Sequence, residues 1–220
     1  MKSRTFFLSA FLLFCFSALT LPLYAKEGAV ECGNLIYAGT KTSKCFSDEF
    51  LTTVQQKTSI ATERRFKAVK LADDELFKIP FVIMTGESDF NLTAKERANL
   101  KKYLENGGFL LASASCSNEA WSKSFERELK SIFGNDCLKD IPLNHDIFRT
   151  VFSVKDLKLS HSGPETLLKG FTHNGKIVVV YSAEGLNDSS HAEGCCCCGG
   201  NEIQNSMEIN ANILAYALLH

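Results

Sequence analysis

The chain has 220 residues, with 24 Lys or Arg against 25 Asp or Glu, a formal charge of −1 and 45 % hydrophobic residues. That length suits one sizeable core. The absence of a basic excess or of interleaved basic and aromatic residues argues against nucleic acid as a partner.

Residues 1–25 have the layout of a secretory signal peptide. Lys2 and Arg4 form a positive start, residues 6–21 are apolar except for Ser9, Ser17 and Thr20, and Pro22-Leu23-Tyr24-Ala25 supplies a helix break and a small residue for the peptidase. Cleavage is expected after Ala25, leaving a single α/β domain over residues 26–220. Losing Lys2 and Arg4 takes the formal charge from −1 to −3. An uncleaved anchor is the alternative, because the apolar run is near the lower length limit for spanning a bilayer. Cys15 follows the bulky Phe14, unlike a lipidation site. No later apolar stretch approaches spanning length, so no stable membrane span is expected after cleavage, and the protein is expected to be periplasmic or secreted.

In chain order, residues 35–38 read as a short strand and residues 48–56 as a helix with Phe50, Leu51 and Val54 on one side and Ser47 as N-cap. Residues 66–71 suggest a second strand, and 81–85 a third whose continuous apolar character suits a parallel sheet buried on both faces. Thr93 and Glu96 have capping-box spacing at the start of a helix carrying Leu100, Tyr103 and Leu104. Gly107-Gly108 ends that helix, and 109–113 is a further buried strand, so the segment is a βαβ unit. Trp121, Phe125, Leu129, Ile132 and Phe133 form one apolar helical stripe ending at Gly134. Residues 135–175 look mostly irregular. Residues 176–181 make a β-branched central strand, followed by a long loop and a last helix starting near Ser206, with Asn205 and Glu208 at capping-box spacing. The alternation predicts a doubly wound, mainly parallel sheet with its ligand site at the carboxyl ends of the strands.

The segments Phe81-Val82-Ile83-Met84-Thr85-Gly86, 92–109 (Leu-Thr-Ala-Lys-Glu-Arg-Ala-Asn-Leu-Lys-Lys-Tyr-Leu-Glu-Asn-Gly-Gly-Phe), Asn144-His145-Asp146-Ile147-Phe148 and 210–217 (Asn-Ala-Asn-Ile-Leu-Ala-Tyr-Ala) occur in this order. Together they resemble an uncharacterised bacterial family, a domain of unknown function that looks like the class I glutamine amidotransferase fold, especially its trehalose-utilisation branch. The resemblance covers residues 60–218 and implies a flavodoxin-like three-layer sandwich. A fold of this kind does not imply an activity.

Three sets of residues carry potential chemistry. Cys116 lies where a strand gives way to a helix, the corner at which amidotransferases place a nucleophile and at which a helix N-terminus favours the thiolate. His191 and Glu193 follow the last strand in the chain order of that family's triad, as base and orienting carboxylate. Against this, Ser115-Cys116-Ser117-Asn118 lacks the glycines of a nucleophile elbow. A buried small hydrophobe or a disulfide partner is the competing reading of Cys116.

The run Cys195, Cys196, Cys197 and Cys198 is the sharpest signal in the chain. In an extended segment at most two of these thiols share one ion, so zinc or copper would need further ligands, with His191, Cys116 and Cys137 as candidates. Eight cysteines remain after cleavage, and export makes disulfides the default: the run could pair one to one with Cys32, Cys45, Cys116 and Cys137. Crowding bridges onto adjacent residues is geometrically hard, so a mixture of bridges and free thiols is the alternative, with redox-active thiols a further one. His145, Glu87 and Asp89 are weaker candidates for a ligand site. Asn91 and Asn187 each begin a glycosylation sequon. These features rank an exported noncatalytic binding or interaction module first, a thiol hydrolase or amidotransferase-like enzyme using Cys116 second, and a metal-binding protein using the cysteine run third.

Overall fold

The computed structural model describes residues 28–161, 166–191 and 202–220. The expected signal peptide lies outside the described residues. Among the described residues no helix is long and apolar enough to cross a membrane.

Seven strands form one sheet in the order β2-β1-β3-β4-β7-β6-β5. Strand β1 (Cys32–Ile36) pairs in parallel with β2 (Lys67–Lys70) on one side and β3 (Phe81–Gly86) on the other. Strands β4 (Phe109–Ala114) and β7 (Lys176–Ser182) continue the parallel set. The first strand begins three residues before its apolar core at Leu35, because Cys32 and Gly33 are paired against Phe81 and Val82. Tertiary pairing overrides the weak strand preference of glycine there.

The sheet becomes antiparallel where the sequence reads as irregular. Strand β6 (Lys169–His173) pairs with β7, and the two-residue strand β5 (Lys139–Asp140) pairs with β6. The hairpin between β6 and β7 turns at Asn174 and Gly175, both at positive φ (50° and 80°), which is the type I′ signature of an Asn-Gly pair.

Helices cover both faces. Helix α1 (Glu49–Lys57) and helix α4 (Ser206–Leu219) pack with Phe81, Ile83, Leu111 and Val180 on one face. Helix α2 (Ala94–Glu105) and helix α3 (Glu119–Phe133) pack with Val82, Met84, Leu110 and Tyr181 on the other. Alternate residues of the same strands thus feed two cores, as the pleat requires, and the result is an α/β three-layer arrangement.

Two of the caps differ from each other in outcome. At α2 the capping box forms in full, with Thr93 Oγ1 accepting from the Glu96 amide at 3.2 Å and Glu96 accepting from the Thr93 amide at 2.8 Å. At α4 the expected box does not form. Asn205 instead accepts from the Lys158 amide and donates to the Asp156 carbonyl, so a residue read as a cap staples the long irregular segment. The fully buried Asn212 does the same, accepting from the amides of Val151 and Phe152 and donating to the Phe152 carbonyl.

Candidate functional site

The strand order reverses between β1 and β3, and in a sheet of this kind a ligand crevice opens at the carboxyl ends of the strands around that point. Here the crevice holds the chain's own side chains. Tyr37, just past β1, donates its hydroxyl to the Thr85 carbonyl at 2.9 Å and accepts from the Trp121 indole at 2.7 Å. Burial pushes the Tyr37 hydroxyl up to about 12, against a smaller opposing effect of the Trp121 bond. A Cβ on Gly86 would fall onto the Tyr37 hydroxyl and the Trp121 ring, so only glycine fits there.

Beside this pair, Asn187 enters from the loop after β7 and is fully buried. Its amide donates to Thr85 Oγ1 at 3.0 Å and to Ser115 Oγ at 2.8 Å, and its carbonyl oxygen accepts from Ser113 Oγ. Thr85 and Ser115 are 2.9 Å apart, Ser113 accepts from the Leu186 amide, and Ser115 donates to Ser43. Two strand ends, of β3 and β4, and two loops, after β1 and after β7, therefore close on one polar cluster. Asn187 is no accessible glycosylation acceptor, whereas Asn91 is exposed.

The β4-to-α3 corner is built without glycine. Cys116 and Ser117 both adopt left-handed backbone with φ of 54°. The Ser117 hydroxyl donates to the Glu184 carbonyl at 2.7 Å, and Asn118 caps α3 by accepting from the Trp121 amide at 2.9 Å. The Cys116 amide donates to Glu202 Oε1 at 3.3 Å, and the other oxygen of Glu202 accepts from Ser189 at 2.6 Å. Glu202 thus links the Cys116 corner to the loop bearing His191.

Cys116 is disulfide-bonded. Of the two arrangements open to the scattered cysteines, one-to-one pairing does not form and a mixture of bonded and free thiols does, because Cys32, Cys45 and Cys137 are free thiols. Cys32 explains itself physically: it starts an interior strand with its side chain inside the core, and burial pushes its thiol up to about 12.

Glu193 and Cys195, Cys196, Cys197 and Cys198 lie outside the described residues. Among the described residues the carboxylate at the His191 ring is Asp188, whose Oδ1 is 2.7 Å from Nδ1. The hydrogen bond to Asp188 and then its charge raise the His191 pKa above the ordinary value, with Glu49 adding to them and burial opposing. Asp188, three residues before His191, carried no motif in the sequence. Glu49 is drawn in from another element altogether, because the Ser47 amide donates to the Asn187 carbonyl at 2.8 Å and joins the start of α1 to this loop.

The other candidates have local roles. His145 caps a short 3-10 helix (Asp146–Phe148), accepting from the Ile147 amide at 3.1 Å. Glu87 and Asp89 are exposed.

A family model described as a domain of unknown function, DUF4159, matches residues 35–218. No curated protein matches the chain.

Proposed function

This chain belongs to the DUF4159 family, a domain of unknown function, and from that premise we propose that it is an exported, noncatalytic binding or interaction module. The observation that carries this reading is the filled crevice. Where a doubly wound sheet would receive a ligand, Asn187, Thr85, Ser113 and Ser115 satisfy one another, and Tyr37 and Trp121 occupy the space beside them. Buried polar groups spent on each other are poor donors to a substrate. The bonded state of Cys116 argues the same way, since the nucleophile of a thiol enzyme is the free thiolate.

A second reading is a thiol-dependent hydrolase or amidotransferase-like enzyme that awakens on reduction. It is favoured by the left-handed Cys116 at a strand-to-helix corner (φ 54°, ψ 34°), the strained geometry of a nucleophile elbow. The flavodoxin-like part of the strand order, together with this corner, is also what supports an amidotransferase-like fold.

One experiment separates the two readings. Native and thiol-reduced protein are incubated with glutamine and with chromogenic esters, beside the Cys116→Ser variant. The binding module gives no turnover above the variant in either state. Turnover in the reduced protein that Cys116→Ser abolishes overturns it in favour of the enzyme.

A further inference from the structure

We propose that Glu49, Asp188 and His191 bind a divalent first-row cation such as Zn²⁺, and that the cation clasps the start of α1 to the loop after β7. One ligand atom from each residue lies within 4.8 Å of the other two. The set supplies one imidazole nitrogen and two carboxylate oxygens, a donor mixture that suits zinc and its neighbours better than calcium or magnesium, which prefer all-oxygen shells. Zinc bonds to such ligands at about 2.0–2.2 Å, so a small rotation of the exposed Glu49 closes the set around one ion.

The three residues come from two elements, and the frame that brings them together is fixed independently of them. Asn187 anchors the loop through its buried cluster, the Ser47 amide holds the Asn187 carbonyl, and the Glu49 amide donates to Ser47 Oγ at 3.2 Å. Asp188 is buried and sits in left-handed backbone (φ 51°), which aims its carboxylate back towards His191. A cation at this point would take the place of the proton between His191 Nδ1 and Asp188 Oδ1, which leaves to solvent or moves to the other ring nitrogen, and would gain coordinate bonds from both residues and from Glu49.

A second observation points to room for a ligand beside Asp188. Asp188 also forms a wall of a cavity of about 290 Å³ with Ser189, Glu202 and Ser206. The Ser206 hydroxyl is buried, with 1 % of the residue exposed, and has no hydrogen-bond partner among the described residues. Three protein ligands leave a tetrahedral ion one position for water or an added anion, and of the three ligands Asp188 lines this cavity.

The proposal is independent of whether the protein is catalytic, and it differs from a thiolate site on the cysteine run. The test uses the full purified chain, stripped with EDTA and titrated with Zn²⁺ by calorimetry and with Co²⁺ by absorption. Saturable binding of one ion is expected, weakened about tenfold or more by Glu49→Gln and by His191→Ala. Both side chains are exposed, so neither change threatens folding, and circular dichroism checks this. The Co²⁺ complex is expected to lack an intense thiolate charge-transfer band. No binding, unchanged affinity in both variants, or a thiolate band that disappears when the four run cysteines become serine would each overturn the site.

Discussion

Tyr37 donates its hydroxyl to the Thr85 carbonyl at 2.9 Å, tying the end of β1 to the end of β3 across the point where the strand order reverses. The same oxygen receives the Trp121 indole N–H, so one phenol joins two strands to α3. Tyr37→Phe leaves a buried carbonyl and a buried indole without partners, and a loss of about 1–3 kcal/mol is expected in urea unfolding. Gly86→Ala places a methyl group onto the same two side chains. It is expected to cost at least as much, through displaced packing.

Asn187 is the second lock. Asn187→Ala removes the acceptor of the Ser113 hydroxyl and one partner each of Thr85 and Ser115, all buried. A destabilisation of about 2–4 kcal/mol is expected, less than the sum of the separate bonds because Thr85 and Ser115 still meet. Chemical denaturation measures it. A change under 0.5 kcal/mol, the range of an ordinary surface substitution, would mean that the cluster holds nothing together.

The parts of this architecture that follow a period were legible from the sequence. The stripe from Trp121 to Leu129 and the box at Thr93 and Glu96 depend on spacing within one segment, and they formed as local chemistry dictates. Strands β5 and β6 have no such period: Lys169, Gly170, Thr172 and His173 gain their strand geometry from pairing with β7. The one local signal available was Asn174-Gly175, a two-residue hairpin turn. The site was harder to see, for the same reason. Cys116 and His191 were visible as residue types, whereas Asp188, Glu202 and Glu49 reach them only through backbone that other elements hold. Asn187 looked like a glycosylation acceptor because a tripeptide carries no information about burial.

His145 gives the fold an acid-sensitive point. Burial lowers its pKa, with Arg149 and His220 acting in the same sense and Asp146 opposing, and its Nδ1 must stay unprotonated to accept from the Ile147 amide. The unfolded chain takes up this proton near 6.5, before the folded protein does. The contribution of His145 is therefore full above that value and is lost as pH falls towards the lower folded pKa. Ring titration by NMR is expected to place His145 below 6.5 in the folded state. His145→Asn, which keeps a cap without the titration, should lose less stability than the parent between about pH 7.5 and pH 5.

Export is checked by mass. Expressed in a bacterium with its own N-terminus, the protein is expected outside the cytoplasm with Lys26 as first residue, since Ala25 is the small residue that follows the break at Pro22. An intact mass that retains residues 1–25 on membrane-bound protein would instead support the uncleaved anchor.

The free thiols differ enough in environment to be told apart chemically. Cys32 is fully buried in the central sheet with its thiol pushed up to about 12, so at about pH 8 it is both inaccessible and almost wholly protonated. Cys45 is partly exposed on the segment between β1 and α1. Brief treatment of the folded protein with iodoacetamide is expected to label Cys45 and spare Cys32, and labelling of Cys32 should appear only as denaturant unfolds the sheet. Because Cys32 pairs with Phe81 on an interior strand and is fully buried in the core, its labelling rate is expected to report opening of the sheet rather than fraying of the exposed surface. Tyr37→Phe and Asn187→Ala should each accelerate it in proportion to the stability they remove. Rapid labelling of Cys32 in the undisturbed protein would show that β1 is not locked between β2 and β3.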